Sequence, residues 1–168
     1  PEERCSVVLV NPPLIGYSKQ SPAQNADTEP LFSPLKGGGR LDFVAAWYVK
    51  AASYLRGVAP ALVREEDQPR CAFVSTNSIT QGEQVAVLWS WLSAQGIHIH
   101  FAHRTFRWSN EASGKAAVHC VIIGFGLQDR QGKVIYEYDD VNGTPHPVPV
   151  QQINPYLIDA AFVAIEKR

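Results

Sequence analysis

The sequence has almost no net charge and no long hydrophobic run. The formal net charge is −1 over 168 residues, so the chain as a whole does not attract phosphate. Contact with a nucleic acid would therefore need a local basic patch or another segment of the protein. No apolar run has the length of a transmembrane span, and no signal peptide opens the chain. We expect a cytoplasmic protein with no membrane partner.

Cysteine is scarce, and its spacing does not suggest a metal site. The three cysteines form no Cys-x-x-Cys pair and lie in strand-like apolar runs, which is typical of reduced, buried thiols: Cys5, Cys71 and Cys120. His98 and His100 fall on one face of a predicted strand, and His103 follows them. Because no carboxylate or cysteine lies at convincing ligand spacing, we predict no metal site.

The start of the chain also lacks features that a complete α/β domain would have. The first residue is Pro1 rather than Met, and a predicted strand follows almost at once, with no helix or glycine-rich turn before it. This beginning predicts a piece of a longer protein. Within that piece, 45% hydrophobic and 18% charged residues suffice to build the core of one domain.

Hydrophobic periodicity divides the chain into alternating strands and helices. Buried strands are predicted at residues 6–10, 71–75, 98–103 and 117–125, and a short strand at 134–138 would extend the sheet. Helices are predicted at 42–56 and 80–95. Thr80 and Glu83 would form a capping box for the second helix. Residues 15–40, which are rich in Ser, Pro, Asn and Gly, predict a long loop.

The order of these elements predicts an α/β fold with parallel strands and a closing antiparallel hairpin. Residues 1–140 would form the domain. The Pro-rich stretch 145–149 and the tail 153–168 indicate a linker over residues 141–168.

The tripeptide Asn11-Pro12-Pro13 follows the first predicted strand. Ligands of open α/β sheets bind just beyond such strand ends. Because two prolines fix the backbone, the Asn11 side-chain oxygen and the Pro12 carbonyl can point at one place, where both can accept the hydrogens of a planar exocyclic amine. The simpler interpretation is that Asn-Pro-Pro only ends the strand, since Asn-Pro is a common turn signal.

Several blocks of the sequence resemble the amino-group DNA methyltransferases, specifically the large fused restriction-modification adenine methyltransferases of the MmeI-like group. The resemblance covers most of the chain and is carried by residues 11–16 (Asn-Pro-Pro-Leu-Ile-Gly), 42–47, 73–83, 98–108, 115–120 and 153–157. It implies that residues 1–140 are the C-terminal half of a Rossmann-like class I methyltransferase domain. The linker would then lead to a target-recognition domain.

The resemblance implies methyl transfer from S-adenosylmethionine to adenine N6 in double-stranded DNA. Asn11, Pro12 and Pro13 would hold the amine of a base flipped out of the helix, and Leu14 would flank that base. The family usually places Phe or Tyr at the Leu14 position, where a ring can stack on the base. In this sequence Tyr17 or Trp108 would have to supply a ring from another direction.

A local basic segment is the best sequence candidate for a nucleic-acid surface. Arg104, Arg107 and Lys115 alternate there with Phe106 and Trp108, which combines charge with rings that can stack on bases. The alternative is a solvated hairpin whose rings fill the core. Asn77, at the end of the second buried strand, would lie on the same rim as Asn11.

The family's glycine-rich cofactor loop lies before the Asn-Pro-Pro strand and is not present in this sequence. We therefore expect S-adenosylmethionine to bind the longer enzyme and not these 168 residues alone. Strand 6–10 would also lack its neighbour, and its open edge predicts self-association or coverage by the chain's own tail.

Two other functions remain open from the sequence. The same tripeptide serves methylation of other planar amines, such as a glutamine side chain of a protein or guanine N2 of RNA. A non-catalytic, degenerate scaffold is also compatible with Leu14 and with the missing cofactor loop.

Overall fold

The structure is a computed structural model that describes residues 5–58, 68–108 and 118–163. Its six strands are β1 (Val7–Val10), β2 (Arg70–Thr76), β3 (His98–Trp108), β4 (Val118–Gly126), β5 (Lys133–Glu137) and β6 (His146–Val150). The helices are α1 (Pro22–Phe32), α2 (Ala45–Val58) and α3, which combines an α turn at Gly82–Gln84, a π turn at Val85–Trp89 and an α segment at Ser90–Ala94. Short 3-10 turns lie at Tyr17–Lys19, Gly38–Arg40 and Asn77–Thr80.

All six strands belong to one sheet, in the order β1-β2-β4-β3-β5-β6. The β1–β2 and β3–β5 pairs are parallel, whereas the β2–β4, β3–β4 and β5–β6 pairs are antiparallel. The carboxyl ends of β1, β2, β3 and β5 therefore meet at one edge of the sheet, which we call the carboxyl edge. The amino ends of β4 and β6 lie at the same edge.

The predicted α/β class, with parallel strands and an antiparallel hairpin, is confirmed. The hairpin consists of β3 and β4, and β4 lies between β2 and β3. Strand β3 is longer than predicted and reaches Trp108, with irregular register between Ile99 and Phe101 and between His103 and Phe106. Such irregularities twist a strand and redirect its side chains, which interrupts the alternation on which the prediction depended.

The core lies between one face of the sheet and helices α2 and α3. Tyr48 is fully buried among the rings of Phe73, Trp89 and Phe125, with ring centroids between 5.1 and 5.7 Å away. Its hydroxyl is 2.8 Å from the Ser75 hydroxyl, and burial raises the pKa of the phenol. A buried polar atom needs such a partner, so the pair joins α2 to β2 near the carboxyl end of the strand.

Residues 15–40 are not the long loop that the sequence predicted, because α1 forms within them. Ser21 and Gln24 form a capping box: the Gln24 N–H donates to the Ser21 hydroxyl, and the Ser21 N–H donates to the Gln24 side chain. Pro22 occupies the first turn, where a missing N–H costs nothing. The signal Ser-Pro-Ala-Gln was present but was masked by the polar composition around it.

The capping box predicted at Thr80 and Glu83 is wrong. Thr80 belongs to the 3-10 turn, so its hydroxyl reaches back and donates to the Asn77 carbonyl at 2.7 Å. Gln81 precedes α3 and makes no side-chain cap. Glu83 instead pairs with Arg40 across 3.6 Å.

Residues after 140 form more structure than the predicted linker over 141–168. Residues His146–Val150 form β6, which pairs with β5. Beyond it Ile153 and Leu157 belong to the hydrophobic core, and the Asn154 side chain accepts the N–H groups of Tyr156 and Ile158. The prolines that suggested a linker are tolerated because β6 is an edge strand. The domain boundary at residue 140 remains a prediction.

Two of the three cysteines, Cys71 and Cys120, are buried as expected, whereas Cys5 is exposed because it precedes β1. None of the helices in the described part of the chain is long and apolar enough to cross a membrane.

Strand β1 lies at an open edge of the sheet. Its side chains alternate: Val8 and Val10 pack against the core, whereas Val7 and Leu9 are 47% and 74% exposed. Within the described residues only β2 pairs with it. An edge with unpaired backbone groups beside exposed apolar side chains is a template for association.

We predict that the 168-residue chain self-associates through β1. Leu9→Lys should shift sedimentation toward the monomer, because an edge lysine opposes pairing, whereas Val163→Lys, which removes an equally exposed apolar group far along the chain, should not. A wild-type chain that sediments as a monomer at all concentrations would contradict this prediction.

Candidate functional site

The loop that follows β1 presents Asn11 at the carboxyl edge. Asn11 is exposed, and its side chain forms no hydrogen bond with any residue that the structure describes. Pro12 is buried, and the Pro13 carbonyl accepts the Ile15 N–H at 3.2 Å. A rigid, anchored backbone thus holds an amide side chain whose polar atoms are available to a ligand.

Three hydrogen bonds attach the rest of this loop to the residues that precede α2, and one of them runs from Gln20 Nε2 to the Leu41 carbonyl at 3.0 Å. The Phe43 N–H donates to the Ile15 carbonyl at 2.9 Å. The Tyr17 N–H donates to Asp42 Oδ1, also at 2.9 Å. Leu14, between these anchors and the prolines, is half-buried and packs against the core, whereas Tyr17 is 52% exposed.

Asp42 joins this loop to the loop after β2. Its carboxylate is buried, and Oδ2 accepts the hydroxyl of Ser78, which lies 2.8 Å from the Thr76 hydroxyl. We call the bonds from Tyr17 and Ser78 to this carboxylate the Asp42 clamp. The sequence analysis did not single out Asp42, because its partners are 25 and 36 residues away.

Asn77 lies beside the clamp at the end of β2. It is half-buried, and its carbonyl accepts the Thr80 hydroxyl. No hydrogen bond connects its side chain to the described residues. The topology thus places Asn11 and Asn77 at one edge, as the sequence predicted, although no hydrogen bond joins them.

The basic residues of β3 reach the same edge, but one of them is already paired. Arg104 Nη1 lies 3.3 Å from Glu137 Oε1 on the neighbouring strand β5. Arg107 is exposed, and its backbone N–H donates to the Val141 carbonyl at 2.8 Å. Lys115 lies outside the described residues. Of the predicted basic patch, Arg107 is therefore the better placed to meet an anion.

Rings from β3 and β5 form a cluster at this edge that the sequence analysis found only in part. His103 stacks on Tyr136 at 4.3 Å, and Phe106 stacks on Tyr138 at 5.5 Å. Trp108, 37% exposed, lies 6.1 Å from Phe106. We call these five residues the ring cluster. Tyr136 and Tyr138 were missed because the parallel pairing of β3 with β5 joins distant parts of the sequence.

The histidines make hydrogen bonds and do not converge on a metal. His100 Nε2 lies 2.7 Å from the Gln128 carbonyl, and His103 Nδ1 lies 2.8 Å from the Tyr138 hydroxyl. Within the described ranges, no three side chains of His, Cys, Asp or Glu are grouped as metal ligands would be. Burial lowers the pKa of both His100 and His103, and for His100 nearby Arg130, Lys133 and His98 add to the effect while the Gln128 bond opposes it.

An open cleft of about 620 Å³ lies beside the same loop, between α1 and the Gly37–Gly39 turn, with Tyr17 in its wall. Gly37 has the left-handed φ of 90°, and a side chain at Gly38 would meet the Phe32 carbonyl at 2.7 Å. The triple glycine is therefore a tight turn against α1 and does not follow a strand as a phosphate-binding loop does.

Comparisons with known proteins agree on one family. The family described as "MmeI, DNA-methyltransferase domain" matches residues 2–137. DNA methyltransferase A of Bacillus subtilis (strain 168) is 38% identical over 161 residues, which are 96% of this chain and 17% of that protein. A solved structure of the Type IIL restriction-modification enzyme MmeI in complex with DNA is 57% identical, with a TM-score of 0.86, over 95% of this chain and 20% of that one. The chain thus spans about a fifth of the length of these relatives.

The lowered pKa values predict that acid destabilises the domain through His100 and His103. Both start from an ordinary value of 6.5. Since the unfolded chain binds these protons more readily, the free energy of unfolding should fall as the pH drops below about 6.5. Urea unfolding at pH 8 and pH 5 measures the loss, and His100→Gln with His103→Gln should make it smaller. An equal loss in the double variant would show that other groups cause it.

Proposed function

This chain belongs to the MmeI family of DNA-methyltransferase domains, and we propose that it is the part of a restriction-modification enzyme that holds adenine N6 for methylation in double-stranded DNA. The proposed methyl donor is S-adenosylmethionine, and the proposed location is the bacterial cytoplasm, where the DNA lies. The observation that carries this proposal is Asn11, an exposed amide with no partner among the described residues, fixed by two prolines at the carboxyl edge.

The proposed role of the tripeptide is to orient the target amine. The Asn11 side-chain oxygen and the Pro12 carbonyl would accept the two N–H hydrogens of the adenine amine, and neither accepts a hydrogen bond from the described residues. These bonds would favour the pyramidal nitrogen whose lone pair attacks the methyl group of the sulfonium donor. The thioether would leave with the electron pair of the broken S–C bond, and the methylated nitrogen would lose one proton to water. No strong base is required, because positioning and fixed dipoles supply the rate enhancement.

DNA is proposed to meet the carboxyl edge from the side of β3. The adenine must leave the base stack to reach Asn11. Arg107 can contact a phosphate, and Trp108 offers an exposed ring beside it. Arg104 would contribute less, because Glu137 already balances its charge. Leu14 and Tyr17 flank the proposed base position, and Asn77 lines its rim.

We propose that the described residues alone do not complete a site for S-adenosylmethionine. In the part of the chain that the structure describes, no glycine-rich turn connects a strand to a helix, and the triple glycine packs against α1 instead. We therefore assign no cofactor-binding residue in this chain. The proposal places that pocket in another segment of the enzyme, so we expect no specific binding to the 168 residues alone.

Two other functions compete with this proposal. A protein glutamine or guanine N2 of RNA also presents a planar amine to such a tripeptide. The relatives favour DNA, because the matching family is a DNA-methyltransferase domain and the Bacillus subtilis relative is a DNA methyltransferase. A degenerate scaffold would retain the fold without requiring Asn11, and the first prediction below separates it from an enzyme.

We predict that Asn11→Ala in the complete enzyme lowers single-turnover methylation by a factor on the order of 10² or more, because it removes an acceptor needed at the reacting nitrogen. DNA affinity should change little. The rate is measured on a hemimethylated site. Asn25→Ala, which changes an exposed asparagine of α1, is the control and should methylate at the parental rate. A parental rate for Asn11→Ala would mean that the tripeptide is only a turn.

Leu14→Tyr should have the opposite effect. A ring stacked on a base is worth roughly 1–3 kcal/mol, and Leu cannot supply all of it, so the variant should methylate several-fold faster. Because Leu14 is half-buried against the core, the larger Tyr side chain would have to turn out of that position toward the base. Leu14→Ile, which adds no ring, is the matched control. If Leu14→Tyr gains nothing while Tyr17→Ala slows methylation, the base is stacked by Tyr17 instead.

A further inference from the structure

We infer that Asp42 is a positioning residue, which sets the place of Asn11 by clamping the loop after β1 to the loop after β2. The inference rests on the proposed function, because it assigns Asp42 a part in the same reaction. The Asp42 carboxylate bonds to Tyr17 and Ser78 and would not itself contact the base. Its influence would pass through Tyr17 and the loop that leads back to Asn11.

The carboxylate of Asp42 is buried and satisfied by two loops. Asp42 is 5% exposed, and it forms no ion pair within the described part of the chain. A buried carboxylate is costly unless hydrogen bonds replace its water. The N–H of Tyr17 and the hydroxyl of Ser78 donate hydrogen bonds to it. The loop after β1 and the loop after β2 must therefore both pack beside Asp42 to stabilise the buried carboxylate.

Asp42 is itself held by hydrogen bonds to its backbone and to that of Arg40. Its backbone N–H donates to Gln84 Oε1 at 3.3 Å, and Gln84 Nε2 donates to the Arg40 carbonyl at 3.1 Å. The Gln84 side chain, at the start of α3, therefore fixes the backbone of residues 40 and 42. Because these bonds fix the backbone at Asp42, its carboxylate can hold the two loops that bond to it in a defined place.

The loop between β1 and α1 connects Asp42 to Asn11. The Phe43 N–H holds Ile15, and Asp42 holds Tyr17, so neighbouring residues before α2 fix two points of the loop. At its other end the loop begins at β1, whose last residue, Val10, pairs with Phe73. The two prolines leave little freedom between these anchors. Loss of the Tyr17 anchor would let the proline turn shift, and a shift of about 1 Å at a reacting group can cost roughly 10²-fold in rate.

The test uses the complete enzyme and single-turnover methylation of DNA. Asp42→Ala should lower the rate by a factor on the order of 10 or more, with the Kd for DNA nearly unchanged. Asp42→Asn should restore most of the rate, because its oxygen can still accept the Tyr17 N–H and its amide can donate to Ser78. Asp27→Ala, which removes an exposed carboxylate from α1, controls for the change in charge.

A double-mutant cycle separates positioning from general damage. If Asp42 acts through Asn11, Asp42→Ala should change the rate little when Asn11→Ala is already present, because groups that act as a unit are strongly non-additive. The same loss in both backgrounds, or a parental rate for Asp42→Ala beside a slow Asn11→Ala, would overturn this inference and leave the proposed function intact. A parental rate for Asn11→Ala would instead defeat the proposed function.

Thermal unfolding shows whether Asp42→Ala still folds. If it does not, Ser78→Ala decides the question, because the carboxylate then loses the donor that holds Oδ2 and can turn away from the position in which Oδ1 accepts the Tyr17 N–H. A several-fold loss that disappears in the Asn11→Ala background supports the clamp, and a rate equal to the parent contradicts it.

Discussion

A buried carboxylate imposes the constraint on which the candidate site depends. Asp42 has lost its water, and its oxygens accept hydrogen bonds from one loop after β1 and one loop after β2. Because an unsatisfied buried charge is far more costly than an unsatisfied neutral group, the two loops cannot separate without a large penalty. The same constraint fixes the place of Tyr17, and through the proline turn that of Asn11. The hydrogen bonds from Tyr17 and Ser78 to Asp42 thus contribute both to the stability of the domain and to the proposed function.

The topology of the sheet brings the remaining parts of the site together. Since β4 runs antiparallel between β2 and β3, the strands β1, β2 and β3 keep one direction, and their carboxyl ends share one edge. Asn11, Asn77 and Trp108 come from three distant segments, yet each follows or ends one of these strands. Strand β1 lies at an open edge of the sheet, and the chain covers about a fifth of the length of its relatives. Both facts are compatible with the proposal that another segment builds the cofactor pocket.

The sequence predicted what depends on local patterns and missed what depends on distant pairing. Buried strands such as β2 and the helix α2 follow from periodicity, and Asn-Pro-Pro was recognised because a strand end with two prolines is a local signal. Helix α1 was missed although its Ser21–Gln24 capping box was readable, since the surrounding composition suggested a loop. The roles of Asp42, Tyr136 and Tyr138 could not be read, because they arise when segments 25 to 36 residues apart meet.

The central claim is that Asn11 presents the exocyclic amine of a DNA adenine. The most direct test is to identify the methylated group. The complete enzyme is incubated with S-adenosylmethionine and duplex DNA, the DNA is digested to nucleosides, and the products are separated by mass. The account predicts N6-methyladenine as the methylated nucleoside, in amounts that rise with enzyme and time. Methyl groups found on cytosine, or adenine that stays unmodified at every enzyme concentration, would contradict it.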